Sequence, residues 1–198
     1  MLTVRALKRL HLCVSFELQG GECVALQGPS GVGKTLLLRS IADLDPNEGA
    51  VMLHGRLRET MPAPVWRKQV TYVAAEPGWW SDTVQEHFTA WEDALPLVER
   101  LRLPHDCASW PIQRLSTGEK QRLALVRALV LQSRVLLLDE PTSALDAASA
   151  GAVEALIAER VVAGTSVIWS THDDAQARRV GSRVFLMNTG GRIEEKLM

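Results

Sequence analysis

The sequence predicts an α/β fold: a mostly parallel sheet covered on both faces, antiparallel β pieces at both ends of the chain, and a mostly helical insert between. Three observations predict it. The runs "CVALQG", "RVLLLD" and "TSVIWST" are short and almost wholly apolar, as in strands buried on both faces. Between them, "KTLLLRSIADLD" and "AASAGAVEALIAERVVA" carry apolar residues at helical spacing. Strands that alternate with helices build a parallel sheet.

Taken in order, Val14, Phe16 and Leu18 alternate with polar neighbours, as on a half-buried strand. After Gly20-Gly21 comes the first buried strand, then a helix that stops at Pro46 and Gly49. "AVMLHG" and "VTYVAA" follow as strands. From Ser81 to about Gln132 the pattern is helical and polar, broken by Pro104 and Pro111. "RVLLLD" is a strand, and the helix after it sets Val153, Leu156, Ile157 and Val161 on one side. "TSVIWST" is the next strand, and "RVFLMN", Gly190-Gly191 and "RIEE" read as a closing hairpin.

The 198 residues suffice for one domain, with one lobe of about 1–75 and 132–198 and a helical lobe of about 81–131. Hydrophobic residues make up 46% and charged residues 23%, ordinary for a soluble globular chain. A net charge of −1 offers no long-range pull toward nucleic acid, so no nucleic-acid partner is expected. Cys13, Cys23 and Cys107 fit neither a disulfide framework nor a metal-ligand spacing. No apolar run approaches the ~20 residues that span a bilayer, and the N-terminus lacks a signal-peptide core. A soluble, cytoplasmic protein is expected.

"GPSGVGKT" fits the phosphate loop G-x-x-x-x-G-K-[ST] and lies between a buried strand and a helix, as that chemistry requires. Gly28, Pro29, Ser30, Gly31, Val32 and Gly33 would curl so that successive N–H groups point inward, toward the positive end of the helix. Lys34 supplies an ammonium for the β- and γ-phosphates, and the Thr35 hydroxyl suits Mg²⁺. ATP with Mg²⁺ is the expected cofactor pair, on a P-loop NTPase core. "VLLLDEPTSALD" then delivers Asp139 at a strand end, where a carboxylate can hold Mg²⁺ or its waters, with Glu140 next to it.

"LSTGEKQR", Leu115 to Arg122, decides among P-loop families. With "DEPTSALD" and "WSTHD", in this order and at this spacing, the chain resembles the ATP-binding cassette (ABC) ATPases, the motor subunits of ABC transporters. Thr117 and Glu119 stand where that family more often has Gly and Gln. The resemblance implies that Ser116 and Gly118, at a helix start, meet the nucleotide on the opposite copy of a head-to-tail homodimer, with Asp146 closing the loop between. It implies Glu140 as the base that orients water and His172 as the switch at the γ-phosphate. It also implies an integral-membrane permease subunit as partner, and a place on the inner face of the cell membrane.

Two departures stand out. Aligning Tyr72, Val73 and Pro77 with the family's pattern puts Ala75 at a usual glutamine that reaches Mg²⁺ and the water. Glu76 swinging in, a water filling the gap, or a cassette that binds ATP and rarely cleaves it are three open readings. The family's aromatic platform for adenine is also missing: Phe16 suits a core position and His11 is a poor substitute, so discrimination between ATP and GTP is expected to be weak. Trp79 and Trp80 follow the Ala75 loop, where the family receives a short helix of the membrane subunit; both are candidate anchors there. A soluble cassette acting on ribosomes or DNA remains an alternative, although no second cassette, coiled-coil insert or basic extension is present to support it.

Overall fold

The computed structural model describes residues 1–197. The chain begins with β1 (Leu2–Arg9), β2 (Leu12–Leu18), β3 (Cys23–Gln27) and α1 (Lys34–Ile41). Next come β4 (Glu48–Leu53), β5 (Arg56–Leu57), α2 (Ala63–Gln69) and β6 (Val70–Val73). A segment of short elements holds α3 (Leu95–Arg100) and α4 (Thr117–Leu129). The rest is β7 (Val135–Asp139), α5 (Ala147–Val162), β8 (Ser166–Ser170), α6 (Asp174–Val180), β9 (Arg183–Met187) and β10 (Ile193–Leu197).

One sheet runs β10-β9-β3-β8-β7-β6, and all of its pairs are parallel except the β9–β10 hairpin. A second, antiparallel sheet runs β2-β1-β4-β5. The expected mixture is therefore present, with antiparallel pieces at both ends. Side chains alternate across a strand, so β7 sends Val135 and Leu137 to one face and Leu136 and Leu138 to the other. The first pair packs with Leu37, Leu38 and Ile41 of α1 and with the antiparallel sheet. The second pair packs with Leu123 of α4, Val153 and Leu156 of α5, and Trp169. This two-sided burial explains why the central strands are apolar at every position.

Four details differ from the sequence reading. The first is β1, unannounced because its alternation breaks: the register shifts between Val4 and Leu7, and Ala6 takes a φ of 46°. Second, α1 ends at Ile41 rather than near Pro46, since Asp43 turns to a φ of 59° and Asn47 Nδ2 donates to the Ser40 carbonyl at 3.2 Å. Third, α2 and α6 are short helices that no long periodicity advertised. Finally, the middle of the chain is less helical than expected. Only α3 and α4 are α-helices there, and three prolines (Pro96, Pro104 and Pro111) punctuate a chain of 3-10 turns at 85–87, 105–109 and 112–114.

Parallel pairing puts the C-terminal ends of β3, β6, β7 and β8 on one edge. Leu26 of β3 and Asp139 of β7 both lie opposite Ser170 of β8. Ligands of open α/β sheets bind at that edge.

Candidate functional site

The loop from Gly28 to Gly33 leaves β3 at this edge and feeds α1. Gly28 has a φ of 151°, and a Cβ there would sit 2.6 Å from the Met187 carbonyl oxygen, so only glycine fits. Helix α1 has no side-chain N-cap, which leaves its first N–H groups free for an anion. Lys34 is 6% exposed, and its Nζ donates to the carbonyls of Gly28 at 2.8 Å and Pro29 at 3.1 Å. Burial lowers its pKa, opposed by the Glu140 and Asp139 carboxylates. The ammonium thus stands desolvated at the loop, held by neutral carbonyls that a phosphate would outbid.

Asp139 is 3% exposed and accepts three hydroxyls: Thr35 Oγ1 at 2.7 Å, Tyr72 OH at 2.9 Å and Ser170 Oγ at 2.7 Å. Burial, then the Asp139 carboxylate, pushes the Tyr72 phenol well above its usual pKa, so it stays a donor. Asp139 and Thr35 form a hard oxygen set that fits Mg²⁺, which takes one or two carboxylates plus substrate phosphates and water. No cluster of three or more His, Cys, Asp or Glu side chains among the described residues competes with it.

Glu140 follows with a φ of 47°. A non-glycine residue in this left-handed region costs on the order of 1–3 kcal/mol and persists only where its surroundings hold it. Its N–H donates to Ser170 Oγ at 2.9 Å, its carbonyl accepts from Gln121 Nε2 at 2.8 Å, and its carboxylate meets His172 Nε2. A cavity of about 460 Å³ opens against Glu140, Ser143 and His172. The structure therefore brings Lys34, Thr35, Asp139, Glu140 and His172 to one edge.

The remaining expected residues lie elsewhere. Ser116 caps α4: its Oγ accepts the Glu119 N–H at 3.3 Å, and its own N–H donates to Glu119 Oε2 at 2.8 Å, completing a capping box; the hydroxyl also donates to Glu119 Oε2 at 2.7 Å. Gly118 packs tightly, since a Cβ would lie 3.0 Å from the Ala144 carbonyl oxygen. Among the described residues no hydrogen bond joins Ser116 to the glycine loop. Asp146 caps α5 within this chain, its carboxylate accepting from Ser149 N at 2.8 Å and Ser149 Oγ at 3.0 Å. His11 is exposed, and its Nε2 lies 2.9 Å from the Val32 carbonyl oxygen of the glycine loop.

The two tryptophans separate. Trp79 is half-buried against the core of the helical side with its Nε1 buried, whereas Trp80 is 69% exposed. The Arg127 guanidinium lies 5.0 Å from one ring and 4.6 Å from the other, and His87 Nε2 accepts the Trp80 and Ser81 N–H groups at 3.0 and 3.1 Å. Of the Ala75 loop, Glu76 is exposed, and no hydrogen bond among the described residues joins it to Asp139 or Glu140. The sequence reading missed Tyr72, Gln121 and Ser170 as site residues. A serine closing an otherwise apolar strand was the one available signal.

The chain is similar to known proteins in both sequence and fold. The family described as "ABC transporter" matches residues 13–143. The probable iron export ATP-binding protein FetA of Escherichia coli (strain K12) is 34% identical, over 92% of this chain and 86% of that protein. An aliphatic sulfonates import ATP-binding protein, SsuB of Granulibacter bethesdensis, is 37% identical over 89% of this chain and 73% of its own length. A solved ATP-binding subunit of an ABC transporter superposes with a TM-score of 0.89 at 26% identity, covering 100% of this chain and 90% of that one. A dimeric post-hydrolysis ATP-binding cassette bound to ADP and Pi shares the fold, with a TM-score of 0.87 at 24% identity over 100% of this chain and 98% of the other.

Proposed function

Since this chain belongs to the ABC transporter family, as one of its ATP-binding, ATP-hydrolysing subunits, we propose that two copies close head to tail around two ATP molecules and drive a separate membrane subunit. The observation that carries this reading is the meeting of the glycine loop, Asp139, Glu140 and His172 at one sheet edge while Ser116 lies apart. A second copy brings Ser116 and Gly118 to the first copy's nucleotide, where the hydroxyl and the α4 N-terminus face an anion.

Within one copy, the loop N–H groups and Lys34 bind the phosphates. Thr35 and Asp139 would hold Mg²⁺, which would supply positive charge against the phosphates. Glu140 accepts the proton of the attacking water, and His172 keeps that carboxylate and the terminal phosphate in register. At dimer closure the Ser116 hydroxyl donates to the phosphate in place of Glu119 Oε2 and can still accept the Glu119 N–H, so the cap of α4 is kept. In a Glu140→Gln background at saturating MgATP, the chain is expected to sediment as a dimer. Adding Ser116→Ala removes that hydroxyl donor from the anion and should raise the dimer dissociation constant about tenfold, which is roughly 1.4 kcal/mol. A chain that stays monomeric in the parent background would reject the closure.

No described helix is long and apolar enough to cross a membrane; as a transporter's ATP-binding subunit the chain would sit peripherally on the inner face, beside its permease. The exposed Trp80 and the Arg127 it covers edge a groove of about 250 Å³ with Tyr72 and Leu131, a fitting seat for a short helix of the permease. Trp80→Ala is expected to reduce co-sedimentation with permease-containing membranes at least tenfold, while the thermal midpoint and nucleotide affinity hold. Unchanged recruitment would move the contact elsewhere.

A further inference from the structure

We propose that Gln121 is a positioning residue for ATP hydrolysis: its side-chain amide holds the backbone of Glu140 and ties it to the serine-capped helix of the same chain. The inference rests on the reading above that Glu140 acts on the attacking water.

Gln121 is polar yet 1% exposed, one and a half turns into α4. Its Nε2 lies 2.8 Å from the Glu140 carbonyl, 3.3 Å from Ser143 Oγ and 3.5 Å from the Ala75 carbonyl, and its Oε1 accepts the Ala144 N–H at 3.3 Å. One side chain therefore touches two loops: the one after β6, and the one that joins β7 to α5, which it holds both at the acid turn and three to four residues on. An amide has only two donor hydrogens, and the Glu140 carbonyl takes the shortest of the three contacts.

That contact matters because Glu140 holds an unfavourable backbone angle, a φ of 47°. The peptide before Glu140 is held by Ser170, whose hydroxyl is itself committed to Asp139. The peptide after it is held by Gln121. With both flanking peptides fixed, the direction of the Glu140 side chain is set and its carboxylate points at His172. Release of the second peptide lets the turn relax toward an ordinary conformation and carries the carboxylate off its line. Lys34, Thr35 and Asp139 share no hydrogen bond with Gln121, so nucleotide binding is untouched.

Methionine matches the length of glutamine without its hydrogen bonds. Gln121→Glu keeps an acceptor for the Ala144 N–H but cannot donate to Glu140 when ionised. Steady-state ATP turnover and nucleotide affinity are compared for wild type, Glu140→Gln, Gln121→Met and Gln121→Glu. Both Gln121 variants should lose about tenfold or more in kcat, with KM and nucleotide Kd within about twofold of wild type. A purely structural role would instead lower the folded fraction and leave kcat per folded molecule intact. Wild type no faster than Glu140→Gln overturns the hydrolysis reading together with this inference. Wild type that turns over, with either folded Gln121 variant within twofold of its kcat, overturns the inference alone. So does failure of both variants to fold, which would make Gln121 a core residue and nothing more.

Discussion

Glu140→Gln drops ATP turnover by about 10²–10⁴-fold, the usual contribution of a positioned base, and leaves nucleotide affinity within a few-fold. The replacement has the same size and can still accept from His172, but an amide cannot take the proton of an attacking water. The backbone should not move, because it is held from both sides by Ser170 and Gln121 rather than by the side chain that changes. Phosphate release at saturating MgATP, set beside direct nucleotide titration, separates the two quantities. Equal turnover in wild type and variant would remove Glu140 from the chemistry. It would also bring forward the reading that Ala75 leaves a cassette that binds ATP and rarely cleaves it.

Lys34→Ala weakens ATP binding by about 100-fold. A single ammonium–phosphate pair at ~4 Å is worth about 4 kcal/mol at an effective dielectric near 20, before desolvation. Much of that desolvation is already spent in the free protein, where Lys34 is 6% exposed and burial lowers its pKa. Its partners there are two neutral carbonyls, which return to water when phosphate arrives. Most of the Coulomb gain should therefore appear as affinity, and about 100-fold corresponds to roughly 2.7 kcal/mol. Isothermal titration with a non-hydrolysable ATP analogue reads it directly. A change under threefold would mean that the loop N–H groups and the α1 N-terminus hold the phosphates without the lysine.

Much of the site was legible because its signals are local. The loop "GPSGVGKT" needs its glycines for backbone reasons confined to those residues, as the 151° φ of Gly28 illustrates. The apolar run before Asp139 is readable because both faces of β7 are buried. What escaped was the second rank of residues. Tyr72 is 67 residues from Asp139, Ser170 is 31 residues from it, and Gln121 is 19 residues from Glu140. Each is a common polar residue, and no spacing marks which distant group it will meet. The bulge at Ala6 hid β1 for the opposite reason: a local backbone irregularity erased the alternation that would have announced the strand.

By itself the sequence determined the α/β class, the order of the central buried strands along the chain, the phosphate loop and, through "LSTGEKQR" and "DEPTSALD", the family. All of these rest on periodicity and on motifs written in consecutive residues. Tertiary structure alone decided that Trp79 turns inward while Trp80 stays out, that Asp146 caps its own helix, and that Gln121 reaches the turn at Glu140. Those outcomes depend on which surfaces the folded chain presses together, and a side chain's partner is set by packing between segments that the sequence keeps far apart.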